Sequence, residues 1–330
     1  GVEGKYYVWS KAEISAALGE DAPYFMEEYG ISTFGNWEHG HNILHLEHAP
    51  QYWEKLKESH EKLRVIRDNR VRPGLDNKVI TSWNALLVSA WSPMDPQSAK
   101  VLLDYLLEVH CFSSKNEDGL EARGCYHLGG NTKILGFLDD YATLIQACTD
   151  MYAANFEEKY LQVAEQLIRY VWGNFRDEDF FFYTDIQSER LIARKKELFD
   201  NVIPASNSML GKALYFAGRY LGKTEYVELS RAMMAKMQPL TLEDPQWLSN
   251  WVDLGLLFSA PQRELVVTGP FYKDWLRKLR ARTPYGATLL LGAERSSTLP
   301  HFQGRFGDKT ALFDCIDYVC ALPVYSLDED

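Results

Sequence analysis

Three segments of this chain open on small or polar residues, run into an apolar helix, turn, and run into a second, amphipathic helix. The openings are Thr81-Ser82-Trp83-Asn84, Asp139-Asp140-Tyr141 and Ala205-Ser206-Asn207-Ser208. Aligning the helices that follow puts Asn84, Tyr141 and Asn207 at equivalent places, with spacings of 57 and then 66 residues. The second helices match too. Tyr160, Val163, Ala164, Leu167, Ile168 and Val171 make one apolar stripe, and Tyr226, Leu229, Met233, Met234 and Met237 make the corresponding one. A period this long, built of helix pairs, predicts stacked αα-hairpins. Stacked in a curve, such hairpins form a toroid with inner and outer helix layers. Its inner helices all point one way, so their first turns gather at one end, with unpaired backbone N–H groups and positive dipole ends. Polar and acidic residues there either cap their helices or line a funnel-shaped pocket.

The flanks read differently. Tyr6 to Trp9 predicts a short strand, and Ser10 with Glu13 has the spacing of a capping box. Gly30 to His48 is loop-like, and a long helix is predicted from about Pro50 to Arg70. After Ser259 the runs Glu264–Thr268, Lys273–Arg282 and Ala287–Leu291 read β-α-β. The expected division is therefore a mainly α, partial (α/α) toroid over 1–258 and a small α/β segment over 259–330. Gly304 to Thr310 only looks like a phosphate loop, since it lacks the adjacent Gly-Lys that would cradle phosphates.

A net charge of −11 argues against nucleic acid, which needs a clustered basic surface. No apolar run reaches membrane-spanning length, so no membrane association is expected. Gly1 in place of Met reads as an internal cut or a cloning scar. Five scattered cysteines are unlike a secreted disulfide framework, so a reducing, cytoplasmic setting is expected. Nine Trp, nineteen Tyr and sixteen Phe exceed what a core of this size usually needs; they thicken helix contacts or line a pocket that stacks flat ligands, sugars included.

Several blocks then fall in order over almost the whole chain. They are Gly4-Lys5-Tyr6-Tyr7-Val8-Trp9, Gly35-Asn36-Trp37-Glu38 with Asn42-Ile43-Leu44, and Asp76-Asn77-Lys78-Val79-Ile80-Thr81-Ser82-Trp83-Asn84. Gly136 to Ala142, Lys196-Glu197 through Asp200 to Ser208, and Cys315-x4-Cys320 with Pro323 continue the series. Together they resemble the YyaL, or spermatogenesis-associated protein 20, family of thioredoxin-domain-containing proteins. The resemblance implies an (α/α) toroid similar to six-hairpin glycosidases and N-acylglucosamine 2-epimerases. It also implies an N-terminal thioredoxin-like domain as a partner in the intact protein, with that domain and the first toroid hairpins outside this sequence. Asn77, Ala85, Asp139 and Ala205-Ser206 depart from the family's usual Asp, Gly, Glu and Ser-Gly.

The candidate catalytic residues are Asp139, Asp140, Glu197 and Asp200. Toroid glycosidases place one carboxylate as acid and another as base. Successive helix residues do not face each other, so Asp139 or Asp140 with Glu197 or Asp200 is the expected pair. The alternative is that one caps its helix and the other pairs with Arg194 or Lys196. Trp83 and Tyr141 either stack on a sugar ring or pack between hairpins. Asn84, Ser206 and Asn207 either bond hydroxyls or cap helices, and Asp76 either contacts substrate or pairs with Lys78. His41, His45 and His48 would share a helix face, but Gly40 and Pro50 bracket them and the stretch reads as loop; no metal and no cofactor are expected. Cys315 and Cys320 read as a zinc half-site, a redox pair or, with no second pair in view, two core thiols of a β segment. None of the eight histidines falls at a helix opening. Two functions follow. One is a carbohydrate-active hydrolase or isomerase acting on a sugar-like molecule. The other is a non-catalytic binding domain serving the thioredoxin-like module.

Overall fold

The computed structural model describes residues 3–50, 52–130, 134–189, 191–283 and 288–327. The chain divides into two compact units, Gly1–Asn77 and Lys78–Asp330.

The smaller unit holds β1 (Trp9–Ser10), α1 (Lys11–Leu18), α2 (Ala22–Glu28), β2 (His41–Asn42) and α3 (Trp53–Asp68). The predicted capping box is present: Glu13 N donates to Ser10 Oγ at 3.2 Å, and Ser10 N donates back to Glu13 Oε2 at 2.7 Å. Trp9, Ile14, Phe25, Leu56 and Leu63 form its core. Trp53, in the first turn of α3, is exposed.

The larger unit begins with three αα-hairpins. They are α4 (Thr81–Trp91) with α5 (Pro96–Val109), α6 (Leu138–Asn155) with α7 (Lys159–Asn174), and α8 (Ser206–Leu221) with α9 (Thr224–Glu243). α4 packs on α6 and α6 on α8, so these three form the inner layer; α5, α7 and α9 each back their own partner. The unit is mainly α, an arc of the (α/α) toroid architecture. The middle inner helix, α6, is buried almost all round, and α8 likewise. Each fully buried Leu, Ile or Met on them contributes roughly 1.5–3 kcal/mol. α8 stops at Gly222, whose positive φ of 67° suits a left-handed cap and whose Cα lies where a Cβ would meet Pro300 Cγ at 2.4 Å. α10 (Ser249–Ser259) packs on α9 and α8.

Two short hairpins join these elements. β3 (Cys111–Lys115) pairs antiparallel with β4 (Glu121–Cys125) before α6, and β5 (Arg176–Asp177) with β6 (Phe180–Phe181) before α8. The last part is the expected β-α-β: β7 (Arg263–Thr268), α11 (Tyr272–Arg282) and β8 (Thr288–Ala293), the strands parallel. β9 (Ala311–Ile316) and β10 (Val319–Cys320) extend the sheet to the order β10-β9-β7-β8. One face of that sheet covers α11 through Leu265, Val267 and Leu290. Val266, Leu289 and Leu291 on the other face join the core of the hairpins. Residue 259 therefore marks a change of architecture within one core, whereas the contact boundary falls after Asn77. No helix among the described residues is long and apolar enough to cross a membrane.

Candidate functional site

The site is built where α4, α6 and α8 begin. Asp140, in the first turn of α6, accepts three hydrogen bonds. Phe137 N and His127 Nδ1 both reach Oδ2 at 2.9 Å, and Ser82 N, at the start of α4, reaches Oδ1 at 2.9 Å. The carboxylate thus caps its own helix and its neighbour's. It is fully buried, and its work is positional.

Asp139 is placed differently. It is 6 % exposed, and its Oδ1 is buried without a hydrogen-bond partner. Burial raises its pKa to about 6, the Asp140 charge adds to the rise, and His127 opposes it. Ser82 Oγ on α4 and Ser206 Oγ on α8 are also buried and unpartnered. Burial pushes the Tyr183 phenol upward, and the charges of Asp139 and Glu197 push it further. Tyr183 stacks on Phe137 at 5.1 Å, and Phe137 meets the His127 ring at 5.0 Å. Those three rings form one aromatic wall beside Asp139.

His127 lay outside the sequence-based candidates because it belongs to no helix. The β3–β4 hairpin delivers it: Thr81 N donates to His127 O, and His127 N donates to Ile134 O, each at 2.9 Å. With Nδ1–H given to the Asp140 carboxylate, Nε2 is the ring atom left for chemistry. The hydrogen bond to Asp140 raises the imidazole above its ordinary value. The strand before it, Glu121–Cys125, carries no readable period, so nothing local marks His127 or ties it to Asp140.

The remaining predicted residues separate by role. Tyr141 is a correction: it is 0 % exposed, stacks on Tyr170 at 5.3 Å and accepts from Cys125 N, so it packs the core and cannot stack a ligand. Asn207 is also fully buried, spending its amide on Phe181 N, Phe181 O and Glu197 O. Asn84 Nδ2 turns back to Ile80 O at 2.8 Å. Glu197 accepts from Ser206 N at 3.0 Å and is exposed. Asp200 Oδ1 accepts from Ala205 N and its Oδ2 from Asn250 N, so it caps α8 and α10 together. Trp83 is 62 % exposed, and Asp76 lies exposed in the other unit. His41 sits in β2, and among the described residues no three His, Cys, Asp or Glu gather as a metal-holding group. Cys315 and Cys320, expected as two core thiols, are instead joined as a disulfide, standing directly opposite each other on β9 and β10.

Beyond the openings, the inner helices enclose a cavity of about 290 Å³ between α4, α6, α8 and α10. Ser89 Oγ and Gln146 Oε1, both buried and unpartnered, face into its lining, with Asp150, Lys212 and Asp253. Lys212 pairs with Asp253. Asp139, Thr143, Gln146 and Asp150 follow one another at helical spacing, so a single stripe of α6 leads from the opening into the cavity. None of the sequence-predicted residues lines the cavity itself; it begins one turn further along.

No family model matches the chain. The spermatogenesis-associated protein 20 of Mus musculus is 23% identical over 386 residues, covering 98% of this chain, and that of Homo sapiens is 25% identical over 380. The chain is similar to spermatogenesis-associated protein 20 along nearly its whole length. An uncharacterized protein of Caenorhabditis elegans, B0495.5, is 26% identical over 382 residues and covers 99% of the chain. The chain spans about half the length of these curated relatives. Among solved structures, the glycoside hydrolase family 76 mannosidase Bt3792 of Bacteroides thetaiotaomicron superposes on 50% of this chain and 45% of its own, at a TM-score of 0.38 and 14% identity. The family 76 α-mannanase BT2949 of the same organism covers 56% of each chain, at 0.37 and 13%.

Proposed function

We propose that the inner-helix openings form an acid–base site for a hydroxylated small molecule of the sugar class. The observation that carries this reading is Asp139, a buried carboxyl with an unpartnered oxygen and a pKa near 6, at the head of a polar stripe leading to a cavity. A group poised there gives or takes a proton close to neutral pH. In this reading Asp139 is the acid. His127, held by Asp140, is the partner that takes the proton at Nε2, which suits a sugar isomerase. Exposed Glu197, across from Tyr183, is the partner if the reaction is hydrolysis. Ser82 and Ser206 hydroxyls would meet substrate hydroxyls, and Trp83 would cover a ring at the rim. No cofactor enters the scheme, and a reducing, cytoplasmic setting belongs to it.

The test is a thermal-shift and turnover screen of the intact protein across free sugars and sugar phosphates. A sugar is expected to raise the melting temperature, and Asp139→Asn to abolish turnover while leaving the fold intact. Wild-type turnover retained in Asp139→Asn would overturn the catalytic assignment.

A second reading is favoured by one observation: Asp140, Glu197 and Asp200 spend their carboxylates on helix caps, and Asn207 spends its amide on backbone. On that reading the arc is a binding domain serving a thioredoxin-like module in the intact protein. It expects no sugar response, with the module retained on the immobilised arc. Failure to retain it would count against this reading.

A further inference from the structure

Two pairs of cysteines face each other across antiparallel strands in this chain. Cys111 and Cys125 lie opposite on β3 and β4, and both are free thiols. Burial pushes Cys111 up to about 12 and Cys125 well above its ordinary value. Cys315 and Cys320 lie opposite on β9 and β10, and these are joined. The environments differ in one respect above all. Arg305 Nη2 stands 2.9 Å from Cys320 Sγ, and its Nη1 stands 3.6 Å from Cys315 Sγ, so one guanidinium spans both sulfurs.

We propose that Cys315–Cys320 is a dithiol-exchange site, a redox-active disulfide that takes two electrons from a dithiol able to close an unstrained cyclic disulfide while Arg305 holds each sulfur as it departs. The accessible sulfur is that of Cys320, which is partly exposed, whereas Cys315 is 2 % exposed. A thiolate of the dithiol bonds to Cys320 Sγ, the S–S bond breaks, and the electron pair passes to Cys315 Sγ beside Arg305 Nη1. The second thiol of the reagent loses its proton to water and attacks the reagent's own sulfur in the mixed disulfide. That attack expels Cys320 as a thiolate bonded to Arg305 Nη2. The reagent leaves as a disulfide, and the protein keeps two reduced cysteines. A cation in hydrogen-bond contact lowers a thiol's pKa and makes it the better leaving group.

The surroundings fit an exchange site better than a structural staple. His301 is 6 % exposed with neither ring nitrogen partnered, and it feels the charge of Arg305. Glu264, opposite Cys315 on β7, is paired with Arg219 from α8, and its charge also reaches Arg305. Tyr318 covers His301 at 5.6 Å. Val319 and Leu322 flank Cys320 and are exposed.

The experiment equilibrates the full chain in buffers of reduced and oxidised dithiothreitol, then alkylates it and locates the labels by mass. Circular dichroism follows the fold in parallel. The pair is expected to open and close reversibly with the fold retained. In the reduced protein, iodoacetamide should label Cys320 with a pH midpoint at least one unit below the ordinary thiol value of about 8.5. Arg305→Gln should return that midpoint to the ordinary value, and Arg305→Lys should keep it low. The proposal is overturned if the pair opens only when the chain unfolds, or if the wild-type midpoint is ordinary. It is also overturned if Arg305→Gln leaves the midpoint unmoved.

Discussion

On a helix, successive side chains point about 100° apart, and at the start of α6 that rotation separates two carboxylates of identical chemistry. Asp140 turns toward α4 and His127, where backbone donors hold it; Asp139 turns toward the inner stripe, where Oδ1 meets no donor. The folded chain therefore holds the Asp139 proton up to about pH 6, whereas an unfolded carboxyl releases it near 3.8. Between those values the folded state binds more proton. Its contribution is complete below pH 3.8 and is lost as the pH rises through 6. Asp139→Asn should remove a pH-dependent loss of about 3 kcal/mol across that window, read from denaturant melts at several pH values. An unchanged pH profile in the variant would mean that Asp139 is solvated. Asp139 and Asp140 could be picked from the sequence as a pair, but which of them was capping could not. For Tyr141 the sequence leaves stacking and packing open for the same reason. Its repeat position was correct, while its burial is set by Tyr170 and Cys125, both contributed by other elements.

At the scale of elements, hydrophobic period and polar openings located the hairpins well, because both are local properties. The starts of α4, α6 and α8 fall within a residue of the openings read from sequence, and the stripes of α7 and α9 face their partners. The short β3–β4 hairpin escaped notice, and with it the route that carries His127 to Asp140. Five-residue strands of mixed polarity such as Cys111–Lys115 have no period to read. Asp200 is the element-level test. It closes α8 through Ala205 N and α10 through Asn250 N and Ser249 Oγ. Asp200→Ala should cost about 1–3 kcal/mol, more than a single exposed cap, and Asp200→Asn less. A loss under about 0.5 kcal/mol would show that solvent replaces those bonds.

On the scale of the whole molecule, two units carry separate cores, and the α/β sheet shares its apolar face with the hairpins. Calorimetry should therefore resolve the unfolding of Gly1–Asn77 from that of the remainder, and the sheet should melt together with the hairpins. A sheet transition separate from that of the hairpins would contradict the shared core. Sequence placed the boundary at the change from helices to strands because composition changes there. Packing does not follow that change: Val266, Leu289 and Leu291 look ordinary along their strands and reveal their partners only in three dimensions.

The caps that cross between hairpins have a mechanical consequence. Asp140 belongs to the second hairpin yet finishes the first, and Asp200 finishes both the third and the helix after it. In such a row no member is complete until its neighbour stands, as in an arch. Fraying at one end therefore strips a carboxylate from the next piece and loosens it in turn. Amide exchange at Ser82, Ala205 and Asn250 should accordingly slow to one common rate, that of the arc opening as a whole.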